Sequence, residues 1–155
     1  MSSRKPILPS LCLGPLLVAL LVVCAAATGS GMPEAGRYRT EIRLELPYLD
    51  GAGARKTVDL CVTEEAGTTG GLTVLSDNNP LASCPISNMI RDGASLSFVI
   101  ACEGRNAAWG HAAYTLSPTG FEGRIAMRMG GKNMTMTEVQ SGHRTGSCAA
   151  PAPAP

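Results

Sequence analysis

The sequence predicts an all-β protein, a single antiparallel meander of about seven strands that is curled or partly barrel-like, with at most one short helix. Several stretches alternate strictly between apolar and polar side chains, as strands with one buried face do. The 155 residues include 18 glycines and 11 prolines, and clusters of turn-forming residues separate these stretches. Because neither an internal repeat nor a second domain is evident, we expect one β-domain over residues 37–148.

The stretch Cys84–Glu103 is expected to form the central hairpin and to fix its register. A three-residue loop over residues 92–94 gives sensible partners along the whole hairpin. The facing pairs would be Leu96 with Ile90, Ile100 with Ile86, and Cys102 with Cys84. A loop one residue shorter would scatter the apolar side chains over both faces, so we favour the longer loop.

Two alternating strands are predicted before this hairpin. Residues 37–46 carry alternating arginine and glutamate on one face, which is typical of a solvated face with ion pairs. A turn leads to the second strand at residues 56–63, where Cys61 lies on the outward face. Thr63 then resembles a helix start, and the glycines that follow would end that helix within about two turns. We expect residues 72–83 to make a long surface loop.

Three further strands are predicted after the hairpin and complete the set of seven. Residues 107–116 and 121–129 would pair around a turn at 117–120. The expected partners are Leu116 with Phe121, Tyr114 with Gly123, and Ala112 with Ile125. A turn at 130–133 leads to the last strand, which begins at Met134. Curling of the sheet would bring the first and last strands together and cover the edges.

The N-terminus has the pattern of an export signal. Two basic residues precede an apolar run over residues 11–27, which ends in three alanines. We interpret residues 1–27 as a cleaved signal peptide and expect the protein in the periplasm or outside the cell. A retained anchor is less favoured because the run is shorter than a bilayer span requires. Lipidation at Cys24 is less favoured because Val23 is bulky where a small residue is expected.

Two short segments flank the predicted β-domain. Residues 28–36 are mostly small and predict a flexible lead-in. Residues 149–155 contain only alanine and proline and predict a disordered tail, because such a composition cannot pack a core. The folded region therefore excludes both segments.

Four cysteines remain after the predicted cleavage, an even number suited to disulfides in an oxidising compartment. Three connectivities are possible. The hairpin register favours Cys84 with Cys102, which leaves Cys61 to pair with Cys148 and tie an early strand to the end of the domain. A metal site is less favoured because no two of these cysteines have a C-x-x-C spacing.

The order of several weak motifs is informative. A cysteine strand followed by an acidic pair spans Leu60–Glu65, a Gly- and Met-rich hairpin spans Phe121–Met136, and Gly146–Cys148 closes the domain. Together with the export signal, the amphipathic first strand and the central cysteine pair, this order resembles a family of small secreted bacterial proteins known only as domain-of-unknown-function family 3617. Pro33–Gly36 departs from the Pro-Gly-rich opening of most relatives. The resemblance implies a periplasmic or secreted β-rich domain and carries no established activity.

Composition and motifs argue against several classes of function. A net charge of +1 and an aromatic content of 4% give no footprint for a nucleic-acid partner. The sequence contains no nucleophile elbow, zinc-protease motif, P-loop or dinucleotide fingerprint. His111 and His143 have no acid or cysteine nearby in sequence, so we interpret them as surface residues. We therefore predict no catalytic residue and no cofactor.

Methionines form the one distinctive cluster in the chain. The turn at 130–133 would oppose Met129 to Met134 and Met127 to Met136, with all four thioethers on one face. Thioethers suit Cu(I), so a periplasmic copper site at these residues is the alternative function. We favour core filling, because this is the predicted inward face and methionine packs irregular cores well.

The function that we predict is that of an exported, non-enzymatic β-domain that binds an apolar ligand or an envelope protein. A sheet that curls without closing leaves an apolar face in need of cover, and one short helix cannot supply it. No membrane span is expected in the mature chain. A hydrolase whose site is not visible in the sequence is the third class that stays open.

Overall fold

The computed structural model describes residues 31–49, 53–64, 72–104, 107–130 and 134–148, which form one seven-stranded antiparallel sheet. The strands are β1 (Gly36–Glu45), β2 (Arg55–Val62), β3 (Ile86–Asp92), β4 (Ser95–Cys102), β5 (Ala108–Ser117), β6 (Gly120–Met129) and β7 (Met134–Gly146). Their order across the sheet is β2-β1-β7-β6-β5-β4-β3, and a 3-10 turn lies at Pro80–Ser83. The predicted all-β class is confirmed, and so is the meeting of first and last strands, β1 and β7. The sheet stays open, with β2 and β3 as its edges.

The segments that flank the β-domain are described only in part. Three predictions lie outside the described residues: the signal peptide at 1–27, most of the short helix after Thr63, and the tail at 149–155. Of the predicted flexible lead-in, residues 31–36 are described, and Glu34 contacts the domain through its backbone. The Glu34 amide donates a hydrogen bond to the Pro118 carbonyl at 2.9 Å, and the Tyr38 hydroxyl donates to the Glu34 carbonyl at 2.8 Å.

The strand registers after the central hairpin are as predicted. Each predicted partner across the β5–β6 and β6–β7 turns is observed. They are Leu116 with Phe121, Tyr114 with Gly123, Ala112 with Ile125, Met127 with Met136, and Met129 with Met134. A Cβ added at Gly123 would overlap the Tyr114 ring, so this glycine is required for the ring to lie across β6. The alternation pattern therefore fixes this half of the sheet.

The central hairpin was predicted correctly at its open end and wrongly near its turn. Ile86 faces Ile100 as expected, but Leu96 faces Arg91 instead of Ile90. The connection is a tight turn at Gly93 and Ala94, and Gly93 has a φ of 55°. A bulge between Ser87 and Ile90 takes up the extra residue, and Asn88 adopts a φ of 50° there. As a result Ile90 is exposed, at 64% of its surface.

The connection between β2 and β3 crosses the apolar face of the sheet, because these two strands lie at opposite edges. Within this crossing segment, described over residues 72–85, Leu72, Val74 and Leu81 are buried in the core. The prediction of a surface loop at 72–83 is therefore wrong. Turn-forming residues suggested exposure, but the apolar side chains between them cover a sheet face that would otherwise meet water.

The core lies between the crossing segment and the inward face of the sheet. Its aromatic part brings Tyr114 within 5.9 Å of Phe98 and within 6.2 Å of Phe121, measured between ring centroids. Tyr38 reaches Phe121 at 5.8 Å from the neighbouring end of β1. Such ring contacts contribute about 1 kcal/mol each beyond area burial. The opposite, outward face carries the charged side chains of β1 and β6.

Two disulfides fasten the sheet, and they join the two cysteine pairs predicted from the sequence. Cys61 is bonded to Cys148 across a Cα–Cα distance of 5.5 Å, and Cys84 to Cys102 across 5.0 Å. The first ties edge strand β2 to the end of β7, and the second ties the crossing segment to β4. Two such bonds indicate an oxidising environment. Within the described ranges, no helix has the length and hydropathy needed to span a membrane.

Candidate functional site

A groove of about 770 Å³ lies on the outward face of the sheet, where β1 ends. We call it the outer groove. One wall is the turn at residues 46–49, which is closed by a hydrogen bond from the Leu49 amide to the Leu46 carbonyl at 3.3 Å. The floor and the other wall are formed by the outward side chains of β5, β6 and β7, among them Trp109 and Arg128. The outer groove therefore lies at the corner of the sheet where β1, the turn at residues 46–49, β5, β6 and β7 meet.

Three apolar side chains at the outer groove are exposed. Tyr48 is fully exposed, Leu49 is exposed at 53% and Trp109 at 48%. Tyr48 also has a φ of 65°, in the left-handed region, which costs a residue with a Cβ roughly 1 kcal/mol. The turn therefore holds an aromatic ring in water on a strained backbone, and such outliers cluster at sites of function.

The charged rim of the outer groove is organised by Glu45. Its carboxylate accepts hydrogen bonds from Arg43 at 2.8 Å and from Arg124 at 2.5 Å. The hydrogen bond from Arg124 lowers the pKa of Glu45 below its ordinary value of 4.5, while partial desolvation opposes this shift. With Arg128 also lining the groove, arginines outnumber the acidic side chain at this rim.

The four methionines of the predicted cluster share the inward face but not one environment. Met127 is buried in the core, Met129 and Met136 pack against that core from partly buried positions, and Met134 is about half exposed. The Met127 sulfur accepts a hydrogen bond from the side-chain amide of Asn79 at 3.0 Å. Three of the four thioethers are thus engaged in packing, which is the arrangement that core filling requires.

A buried polar cluster lies under the crossing segment and was not anticipated from the sequence. Glu138 on β7 is fully buried, and its carboxylate accepts hydrogen bonds from the Leu75 amide at 2.8 Å and the Ser76 hydroxyl at 2.6 Å. Gln140 donates to Glu138 at 2.7 Å and to the Thr73 carbonyl at 2.9 Å. This cluster pins the crossing segment to the middle of the sheet, because a buried carboxylate needs all its hydrogen bonds.

Tyr114 completes the buried polar cluster from β5. Its hydroxyl donates to the Gln140 side-chain oxygen at 3.0 Å. Burial raises the pKa of Tyr114 well above its ordinary value of 10.0, and the negative charge of Glu138 raises it further. The only signal of the cluster in the sequence was the alternation of β7, which places Met136, Glu138 and Gln140 on the same inward face.

The histidines do not contribute to either site. His111 and His143 are both exposed on the outward face, on β5 and β7. In the described ranges, no group of three or more histidine, cysteine, aspartate or glutamate side chains is placed to hold a metal ion.

The comparisons with known proteins yield one match. A family model described as "Protein of unknown function (DUF3617)" matches residues 33–148, from the end of the lead-in to the last cysteine. No curated protein and no solved structure matches the chain. The matched range covers every strand of the sheet and both disulfides.

Replacing Glu138 with alanine should lower the free energy of unfolding by about 2–4 kcal/mol, because three donors lose a charged acceptor in a dry site. Glu122→Ala removes an exposed glutamate from neighbouring β6 and should change stability by less than about 0.5 kcal/mol. Urea unfolding of the two variants provides the comparison. Equal effects would show that the buried cluster does not hold the crossing segment.

Stability should fall as the pH rises above about 10, because the folded chain retains the Tyr114 proton that the unfolded chain releases. The contribution is fully present below that pH and is lost towards the raised pKa of the folded state. Tyr114→Phe cannot ionise, so the stability gap between wild type and variant should narrow between pH 8 and pH 11. Urea unfolding across this range tests the expectation, and a constant gap would contradict it.

The double variant Met127→Leu, Met136→Leu should lose less than about 3 kcal/mol of stability, since each change nearly conserves volume and costs less than about 1.5 kcal/mol. Wild type and variant should both fail to take Cu(I) from a competing chelator, because the Met127 sulfur is buried and already hydrogen-bonded. Met134→Leu, which changes the most exposed of the four clustered methionines, is the matched control. Tight Cu(I) binding by the wild type that disappears in the double variant would establish a copper site instead.

Proposed function

The chain belongs to the DUF3617 family, and from that premise we propose that it is an exported, non-enzymatic module that binds an apolar ligand, or an apolar segment of an envelope protein, in the outer groove. The two disulfides support export to the periplasm or beyond, because reducing compartments disfavour such bonds. The export signal predicted at residues 1–27 supports the same location.

The observation that carries this proposal is the exposure of Tyr48, Leu49 and Trp109 around one concavity. The chain has a single tryptophan and three tyrosines, and the tryptophan and one tyrosine lie in water at this corner. Exposed apolar groups that line a groove are typical of a binding surface. The arginine-rich rim would favour an occupant whose polar end is anionic.

The inward face offers less support as a binding surface. The crossing segment already occupies the apolar side of the sheet, and the Glu138 carboxylate accepts three hydrogen bonds, two from that segment and one from Gln140. A ligand there would have to displace both. A carboxylate whose hydrogen-bonding capacity is taken by the fold is also poorly suited to general acid–base catalysis, which supports a non-enzymatic role.

Because Trp109 is the only tryptophan, its fluorescence reports directly on the outer groove. Dodecanoate below its micelle concentration should shift the emission to shorter wavelength in a saturable manner, and a dodecyl amphiphile with a cationic head should bind more weakly. Tyr48→Asn with Leu49→Ser should weaken dodecanoate binding about tenfold or more, because buried apolar contact is lost. Asparagine tolerates the left-handed backbone at position 48, so the turn should persist.

The control variant for this titration is Ile90→Ser, which removes an exposed apolar side chain from edge strand β3. It should bind dodecanoate as the wild type does. An unsaturable response to both amphiphiles, or an equal loss of binding in the control variant, would rule out the outer groove as an apolar site.

A further inference from the structure

The two edges of the sheet differ in how readily they can accept another strand. β3 is interrupted by the bulge between Ser87 and Ile90, and a bulge twists an edge away from pairing. β2 has no such interruption, since all eight of its residues pair with β1 in one continuous register. Within the described part of the chain, no strand pairs with the outer side of β2.

The hydrogen-bonding pattern shows which groups of β2 point away from the sheet. The Leu44 amide donates to the Ala54 carbonyl at 2.9 Å, so residues 44 and 54 form a hydrogen-bonded pair of the β1–β2 ladder. Pairs alternate along an antiparallel ladder, so even-numbered residues of β2 bond to β1. The amides and carbonyls of Arg55, Thr57, Asp59 and Cys61 therefore face outward along the free edge.

These groups restrict how a second copy of β2 could be added. In a two-fold antiparallel arrangement, outward-facing groups must meet each other, and three or more of them pair on each copy only when the axis lies at residue 57, 58 or 59. An axis at Arg55, Lys56 or Asp59 opposes that residue to its own copy, which places like charges directly opposite. Only Thr57 and Val58 avoid this repulsion.

The axis at Thr57 is the one that also creates attraction. It places Arg55 opposite the second copy's Asp59 and Asp59 opposite the second copy's Arg55, with the two threonines facing each other on the outward side. Opposite-charge pairs and Thr–Thr pairs are both favourable across strands. Three outward-facing residues on each copy then exchange backbone hydrogen bonds, as in any antiparallel ladder.

We propose that the free edge of β2 is a self-association site, where two copies of this chain join by antiparallel pairing centred on Thr57. The one inward-pointing cation of the strand does not oppose this arrangement. Lys56 is already paired with Asp77 at 2.7 Å, so it brings no uncompensated charge to the interface. Asp59 also contacts Arg39 at 3.6 Å, so it would be shared between an arginine of its own chain and Arg55 of the second copy.

Charge exchange at two positions tests the register as well as the interface. The oxidised protein, as its expression host processes it, should change from one to two chains by sedimentation between about 1 µM and about 1 mM. Arg55→Asp and Asp59→Arg should each weaken association about tenfold or more, because each creates two like-charge contacts between the copies. Asp59→Arg also replaces the contact with Arg39 of its own chain by a like-charge pair. The double variant should recover association, and an equimolar mixture of the two single variants should form a mixed dimer.

One further variant tests the backbone pairing independently of charge, and a second is a charge control on the other edge. Thr57→Pro removes an outward amide without touching the β1 ladder, so it should abolish association while the circular dichroism stays that of the folded sheet. Arg91→Asp reverses a charge on the bulged edge strand β3 and should leave association unchanged. A wild type that stays monomeric throughout, association that survives Thr57→Pro, or a charge-exchanged pair that fails to recover would each overturn the proposal.

Discussion

The structure depends on one topological constraint, which is that β2 and β3 follow each other in sequence but lie at opposite edges of an open sheet. The connection between them crosses the apolar face where it is described, over residues 72–85, and its side chains supply the cover that the sheet needs. A crossing backbone also brings polar amides and carbonyls into a dry interior, where they require partners. Glu138 and Gln140 provide those partners from β7, which explains why a strand in the middle of the sheet buries a carboxylate.

Local alternation was enough to predict the fold class and most of the registers. Short connections fix the offsets of β5, β6 and β7, and pairs such as Tyr114 with Gly123 follow from counting residues. The same counting failed near Gly93, where the turn is one residue shorter than predicted and the bulge at Asn88 takes up the extra residue. A longer turn without a bulge and a shorter turn with one both place Ile86 opposite Ile100, so counting residues does not distinguish them. A bulge depends on backbone conformation at a single residue, and the alternation pattern does not encode it.

The candidate sites were harder to predict than the fold, because each is assembled from residues that are distant in sequence. Glu138 meets donors that lie about 60 positions earlier, at Leu75 and Ser76, and nothing local in either segment indicates the other. The outer groove joins the turn at Tyr48 to Trp109 in the same way. The four clustered methionines could be predicted as a group because they lie on one hairpin. The alternation of β6 also predicted that their side chains face inward.

The crossing segment also determines which surfaces are left for function. Since the crossing segment covers the inward face, the outward face and the edge of β2 are surfaces of the described part of the chain that can accept a partner without displacing another segment. They meet at one corner, because Arg43 lines the outer groove and lies opposite Arg55 on the edge strand. In a two-fold antiparallel pairing of edge strands, the axis is perpendicular to the sheet, so residues that face outward in one copy face outward in both. Association through β2 would therefore place two outer grooves on the same side of one continuous sheet.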